Sequence, residues 1–435
     1  MPFSYAPLWK TMKKNNISTK TKFREIVGIT PTTLSKLSKN EYVRMDILDK
    51  ICCALNCEIS EVLTHETYES SIAEIHKENS PSDLKIVSLF SGIGGFELGI
   101  KQSNINGDFV FSSEIDKHAQ ISYEANFQSH NLHGDITKIE EHLIPDHDFL
   151  IAGFPCQTFS IAGARKGFED TRGTLFFDVA RIIKEKRPKY LLLENVKNLV
   201  NHDNSNTIRV ILNTLDSLGY STDFTIINSS ESGVPQSRER TYIVGILSYP
   251  TEIFEMDIRS KKIDYLKKEL NLSDFKSFNF FNDLRFNNRD LLIEDILETD
   301  VDTKYFFYKA GLDDFLHKND SQIVEKQRKI VKLFDVPKEI INDNERQRRV
   351  YSSKGLSPTI LARSDSTKIV VNTINGIKLR KFTPIENLRA QGFTEDFIDK
   401  LRSINVSDTQ LYKQSGNAVS PPVITGIVNH LRNYF

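Results

Sequence analysis

The 435-residue chain is poor in the features that assign a protein to a special class at sight. It has only four cysteines, Cys52, Cys53, Cys57 and Cys156, with no Cys-x-x-Cys pair, and three of them crowd one short segment. That suggests neither a zinc site nor a disulfide framework, and no metal is expected. No apolar run approaches the ~18 residues of a membrane span. The N-terminal MPFSYAPLWKTMKKNN has no apolar stretch leading to a small-residue cleavage site. The expected location is the cytoplasm, with no membrane partner. Neither sign of charge is in excess: 57 Lys and Arg face 58 Asp and Glu, a formal net charge of −1. This argues against a uniformly basic nucleic-acid coat, but distribution matters more than the sum.

The distribution is uneven. Residues 1 to 50 hold ten Lys and Arg against four Asp and Glu, and residues 321 to 363 hold ten against five. The chain is also too long for one domain at the usual ~100 to 200 residues, so about two to four units are expected. In KTKFREIVGITPTTLSKLSKN a helix ends at Gly28, and Thr30 then serves as N-cap before Pro31, the first residue of a second helix. MDILDKICCALNCEISEVL follows with apolar residues at helical spacing. Residues 1–65 thus read as a helix-turn-helix unit resembling the Cro/C1-type repressor domain, with Thr32, Thr33, Ser35 and Lys36 facing a major groove. A small bundle used for packing or dimerisation has the same pattern. Residues 66–83, polar and ending in Ser-Pro-Ser, read as a linker.

Beyond it, KIVSLFSG, DFVFSSEI, DFLIAGF, YLLLENV and TDFTIINS are short apolar runs spaced widely enough to hold helices. Such alternation predicts an α/β fold, a doubly wound and mostly parallel sheet covered on both faces. The pattern dissolves near Pro250 and returns near residue 378. The expected units are a catalytic and cofactor-binding domain at 84–250, a separate domain at 251–377, and a segment at 378–435 that completes the first. No internal repeat is present.

Polar residues collect where strands end. Phe90-Ser91-Gly92-Ile93-Gly94-Gly95 is a glycine-rich turn after the first strand; it suits either close approach to a ligand or simple packing. Glu114 ends the second strand, and Asp135 follows the third. Three such ends suit an adenosine-containing cofactor. Gly92, Gly94 and Gly95 form GxGG rather than GxGxxG, which favours S-adenosyl-L-methionine over a dinucleotide. Cys156 follows the fourth strand and Glu194 ends the fifth. A lone cysteine is more readily a buried apolar residue than a nucleophile, but with a carboxyl on the adjacent strand the pair suggests covalent catalysis with proton donation.

Taken together, FSGIGG, EID, GDIT, GFPCQTFS, RGTLFFDVARI, ENV, QSRER and YKQSGNAVSPP resemble, in order and spacing, the cytosine-C5 DNA methyltransferases of bacterial restriction–modification systems, over residues 84 to 247 and 346 to 435. The resemblance implies Cys156 as nucleophile at cytosine C6, Glu194 at N3 of the ring, and Arg238, with Arg240, supporting the base carbonyl and the carboxylate. It implies a cofactor site built from Phe90, Gly92, Gly94, Gly95, Glu114, Ile115, Asp135, Ile136, Pro155, Leu175 and Asn417. Two positions depart from the family: Ile115 stands where an aromatic often covers the adenine, and Ala418 where a hydroxyl residue is common. The loop from Gln157 to Gly173 resembles the element that closes over a flipped base, and Gln157 and Ser160 are expected on DNA.

Residues 251–377 correspond to the family's target-recognition segment. Arg349 and Thr359 are the expected DNA contacts, since arginine commonly binds guanine bidentately. Arg346, Arg348 and Lys354 either bind phosphate or are solvated. The expected partners are double-stranded DNA and, only as a genetic partner, a cognate endonuclease. A monomer suffices for catalysis, and residues 1–63 can support a dimer. The N-terminal domain would also repress the protein's own operon. Two rival readings are weaker. A tRNA cytosine methylase sits badly with the large variable segment, and a transcription factor with a degenerate body sits badly with intact Cys156, Glu194 and Asn417.

Overall fold

The computed structural model describes residues 3–15, 17, 19–39, 41–65, 84–128, 130–155, 175–286, 290–319, 325–374 and 376–435. They form two units, residues 1–82 and 83–435.

In the first unit a short strand β1 (Phe3–Ser4) pairs antiparallel with β2 (Thr64–His65), closing four helices: α1 (Ala6–Lys14), α2 (Lys20–Val27), α3 (Pro31–Ser38) and α4 (Met45–Leu55). Thr19 caps α2, which ends at Gly28 in the left-handed conformation. Thr30 caps α3 through its hydroxyl and the Thr33 amide, with Pro31 at the first helical position. Leu8, Phe23, Val27, Leu37, Leu48 and Ile51 form the core. The helix, turn and helix therefore fall where the caps in the sequence put them.

The second unit opens with β3 (Leu84–Leu89), α5 (Gly95–Lys101), β4 (Gly107–Ser113), α6 (Lys117–Asn126), β5 (Leu132–His133), β6 (Phe149–Gly153), α7 (Leu175–Lys186), β7 (Tyr190–Val196), α8 (Asn206–Ser217), β8 (Tyr220–Asn228) and β9 (Glu239–Leu247). The strands form one sheet in the order β5-β4-β3-β6-β7-β9-β8, in which β9 alone runs antiparallel to its neighbours. Both faces are apolar, as a covered sheet requires. Val87, Leu150, Leu191 and Leu193 pack with α7 and α8, whereas Ile86, Phe149, Ile151 and Leu192 face the other layer. The chain goes from β3 outward through β4 and β5, then returns to build β6 and β7 on the other side. The crevice at that reversal, beyond the strand ends, is where such sheets hold ligands.

The change of pattern near Pro250 is not a break in packing, contrary to the expected boundary at 250/251. Helix α9 (Lys261–Leu270) and its flanks add Phe254, Ile263, Leu266 and Phe275 to the core beside Phe224 of β8. They cover the sheet edge that β8 would otherwise expose. The ammonium of Lys267, wholly buried, lies 2.7 Å from Asp223 and 3.2 Å from Asp257. Asp223 also accepts the amides of Phe280 and Phe281. These polar and charged residues carry no apolar period, so their place in the core was hidden.

The segment with its own sheet begins later. Helix α10 (Leu312–Lys318) packs on strands β10 (Lys332–Asp335), β11 (Arg349–Tyr351), β12 (Lys368–Thr373) and β13 (Gly376–Lys381), ordered β10-β11-β12-β13, with a one-turn helix α11 (Glu345–Arg348) before β11. The chain then returns through α12 (Pro384–Gln391), α13 (Glu395–Ser403), α14 (Asp408–Asn417) and α15 (Pro421–Leu431). Val423, Ile424, Ile427 and Val428 of α15 complete the layer over Ile86 and Phe149. The last segment thus packs on the first sheet.

Candidate active site

A cleft of about 1000 Å³ lies at the reversal point of the sheet. One half is made by the ends of β3 and β4 and the turn after β5. Phe90, with φ of 58°, turns the chain off β3, and the following amide of Gly92 donates to Glu114 Oε2 at 2.8 Å. The Asp116 amide donates to Glu114 Oε1 at 2.7 Å, so both oxygens of this carboxylate are anchored by backbone. Asp135 caps the turn Ile136–Lys138, and its bonds to Thr137 hold its carboxyl below the usual range. Ile115 stands 66 % exposed at the cleft wall. The Ser113 hydroxyl, buried at the same wall, has no partner among the described residues.

Of the expected cofactor residues, Phe90, Gly92, Gly95, Glu114, Ile115, Asp135, Ile136, Pro155, Leu175 and Asn417 line this cleft. Gly94 does not. Its φ is +92°, and a Cβ there would lie 2.1 Å from the Phe127 ring, so this glycine serves the turn and its packing.

The other half is built by β6, β7 and the start of β9. Register places Gly153 opposite Glu194 and Val196 opposite Arg240. Because β9 runs antiparallel, its first residues reach the same rim as the ends of its neighbours. Arg240 Nε lies 3.2 Å from Glu194 Oε1. Burial pushes the Glu194 carboxyl above its ordinary pKa, and Arg240 and then Arg238 oppose that rise.

The two arginines exchange the expected emphasis. Arg240 is the ion-pair partner of Glu194, whereas Arg238 spends its terminal nitrogens on the carbonyls of Ile360, Gly416 and Ala418, at 3.3, 2.9 and 3.0 Å. Cys156, Gln157 and Ser160, with the loop to Gly173, lie outside the described residues. Pro155 before them and Leu175 after them both border the cleft. Asn195 Nδ2 donates to the Phe154 carbonyl at 2.7 Å and so fixes the chain entering Cys156. It stands within the ENV block, where attention to the acid alone passes over it.

Glu97 was also missed. It is a wholly buried carboxyl in α5, beneath the glycine-rich turn, 3.2 Å from the Tyr123 hydroxyl. Its signal was a carboxylate within the apolar run GFELGI. Burial pushes its pKa up to about 7, against the lowering effect of hydrogen bonds from Ser88, Tyr123 and Ser91.

On the smaller sheet, Arg349 is bound by Glu345 one turn earlier and faces Asp335 across the strands at 3.6 Å. Thr359 donates its hydroxyl to the Ser237 carbonyl at 2.8 Å. Arg348 donates to the carbonyls of Val336 and Asp343, which makes it a structural tie. Arg346 and Lys354 are exposed. In the first unit Thr32, Ser35 and Lys36 lie exposed along α3, while the Thr33 hydroxyl is engaged with that of Thr30.

A doubly wound sheet with an acid, a guanidinium and an anchored carboxylate at its reversal point defines an enzyme that acts on a ligand held there. Comparison with known proteins says which. The sequence profile described as C-5 cytosine-specific DNA methylase matches residues 84–433, and that of the Cro/C1-type HTH DNA-binding domain matches residues 7–67. The type II methyltransferase M.SsoII of Shigella sonnei is 42% identical over 363 residues, 82% of each chain. The type II methyltransferase M.HhaI of Haemophilus parahaemolyticus is 36% identical over 345 residues, 79% of this chain and 92% of that one. Among solved structures, a Spodoptera frugiperda DNMT2 mutant shares the fold with a TM-score of 0.55 at 21% identity, over 80% of this chain and 100% of that one. The chain belongs to the C-5 cytosine-specific DNA methylase family and is a DNA (cytosine-5-)-methyltransferase. Among the described residues, no helix is long and apolar enough to cross a membrane.

Glu97 offers a test of the packing beneath the cofactor half. Its folded pKa of about 7 exceeds an unfolded value near 4.5. The stabilising effect is complete below the lower value and lost as pH rises through the upper. Glu97→Gln is therefore expected to be more stable than wild type at pH 8, by up to about 3 kcal/mol, with the gap closing towards pH 5. Urea denaturation at the two pH values checks this; a variant less stable at both would contradict it.

Proposed function

We propose that this protein transfers the methyl group of S-adenosyl-L-methionine to carbon 5 of a cytosine flipped out of double-stranded DNA, with Cys156 as nucleophile. The observation that carries the proposal is the buried Glu194 carboxyl, held above its ordinary pKa with Arg240 beside it, on the rim that Cys156 follows by three residues from Gly153. A carboxyl shifted in this direction holds its proton more readily, and in its protonated form it can donate a hydrogen bond to a ring nitrogen.

The cofactor half fits S-adenosyl-L-methionine. The anchored Glu114 suits ribose hydroxyls, exposed Ile115 offers an apolar surface to a purine, and the Ser113 hydroxyl lacks a partner among the described residues. Asp135, Ile136, Pro155, Leu175 and Asn417 would enclose it. When bound, it supplies an electrophilic methyl on a sulfonium. Cytosine C5 is a poor nucleophile, and the residues of the chain make it a better one. The Cys156 thiolate adds to C6 while Glu194 gives its proton to N3, so the electron pair moves to C5 and no full charge builds on the ring. Arg240 supports the Glu194 carboxylate that results and the base carbonyl. After methylation C5 gives up its proton to solvent, the C6–S bond breaks, Cys156 departs as thiolate, and the N3 proton returns to the Glu194 carboxylate. Attack on C6 needs the open ring face, so the base must leave the stack at a cost of a few kcal/mol. The loop Gln157 to Gly173, with Gln157 and Ser160 on DNA, would close over it.

Arg349 would read guanine after exchanging Glu345 for the base, with Thr359 beside it on DNA. The protein would act as a monomer and serve as the modification methylase of a restriction system, its endonuclease a partner only genetically, in the cytoplasm. Bisulfite sequencing of plasmid DNA from expressing cells tests this reading. Wild type is expected to protect cytosine in one sequence context, Cys156→Ser none, and Glu194→Gln to act at least about a hundredfold more slowly. Wild type without protection, or Cys156→Ser equal to it, would refute the reading.

The exposed Thr32, Ser35 and Lys36 on α3 favour a second activity, repression of the protein's own operon by a dimer on paired half-sites. Footprinting of DNA upstream of the coding sequence is expected to show protection that Lys36→Ala weakens; an unprotected region would dismiss it.

A further inference from the structure

Three separate stretches of chain meet at one buried guanidinium. Arg238, 3 % exposed, stands between β8 and β9. Its Nη1 donates to the carbonyl of Ile360, the residue after Thr359. Its Nη2 donates to the carbonyls of Gly416 and Ala418, the two neighbours of Asn417. The same cation therefore grips Asn417 from both sides and the expected DNA-reading loop immediately beyond Thr359. Only Nε remains, buried and without a partner among the described residues, so Arg238 has little left to offer a base.

The contacts around it tighten the same junction. Thr359 donates its hydroxyl to the Ser237 carbonyl at 2.8 Å, and the Ile360 amide donates to Gln236 Oε1 at 2.9 Å. Gln391 Nε2 donates to the Ser415 carbonyl at 2.7 Å. At Gly416 the two backbones touch: a Cβ there would lie 2.3 Å from atoms of Leu361 and Ala362. Neither the 357–363 loop nor the 415–418 segment can shift alone without breaking these hydrogen bonds, most of them buried.

We propose that Arg238 is a positioning residue that couples target reading by the 357–363 loop to the hold of Asn417 on the cofactor. The inference rests on the cofactor and DNA roles proposed above. A loop that settles on its target moves or stiffens the Ile360 carbonyl, and Arg238 carries that change to the carbonyls flanking Asn417. Coupling of this kind is reciprocal: the cofactor sharpens target binding as much as the target tightens the cofactor. Lysine carries its three donors on one nitrogen and cannot span carbonyls reached from both Nη1 and Nη2 of the planar guanidinium.

The test is calorimetric titration of S-adenosylhomocysteine into the full chain, without DNA, with excess poly(dA-dT), which has no cytosine, and with excess unmethylated plasmid. Wild type is expected to bind the probe at least about tenfold more tightly with plasmid than with poly(dA-dT), within the usual range of coupling. In Arg238→Lys that ratio falls towards one. If Arg238→Lys does not fold, judged by circular dichroism, Gln236→Met, which releases the Ile360 amide, carries the same expectation. A ratio kept in the variant, or affinity lost equally with and without DNA, would overturn the coupling and leave Arg238 a simple structural tie. A wild-type ratio of one would overturn it too, with the cofactor reading intact. Absence of any probe binding by wild type would overturn both.

Discussion

A carboxyl group at the mouth of a protein has its pKa raised on one condition, that it is taken out of water, and a neighbouring cation opposes the rise. Glu194 meets that condition at the end of β7, between Gly153 on one side and the start of antiparallel β9 on the other. Burial raises its pKa, and Arg240, 3.2 Å away, keeps the rise in bounds. Reversal of a single strand brings that arginine to the rim. Were β9 parallel to β7, its first residues would lie at the far edge of the sheet.

The same requirement for a dry, shaped rim explains the long return of the chain. The strand ends alone leave the cleft open on one side. The final helices close it: α15 fills the layer over the sheet, and α14 delivers Asn417. In the chain, the smaller β10–β13 sheet comes between the large sheet and these helices, joined to α12 by the buried pair of Arg380 and Glu386, whose two contacts are both 2.7 Å. The expected reading segment and the cofactor segment are thus set against each other by backbone contacts rather than by flexible links.

Much of this architecture is legible in the sequence, because the signals are local and periodic. Thr30-Pro31 and Gly28 mark helix ends, and short apolar runs mark strands buried on both faces. What the sequence conceals depends on long-range pairing. Nothing near Arg238 and Arg240 says which will meet Glu194; strand register decides it. Gly94 belongs to the glycine-rich turn yet yields its space to Phe127 rather than to a ligand. Lys267, Asp223 and Asp257 are charged yet lie in the core, because the Lys267 ammonium bridges the two carboxylates. Cys156, on its own, reads as a buried apolar residue sooner than as a nucleophile; the residues at the neighbouring strand ends give it its meaning.

The central claim is that Cys156 forms a bond to the base, and a duplex substituted with 5-fluorocytosine tests it most directly. Fluorine at C5 cannot leave as a proton does, so the enzyme should halt after methyl transfer with the C6–S bond intact. Incubation with S-adenosyl-L-methionine followed by proteolysis and mass spectrometry is expected to find one nucleotide adduct, on the peptide containing Cys156. An adduct on another residue, or none while methylation of ordinary DNA proceeds, would contradict the account.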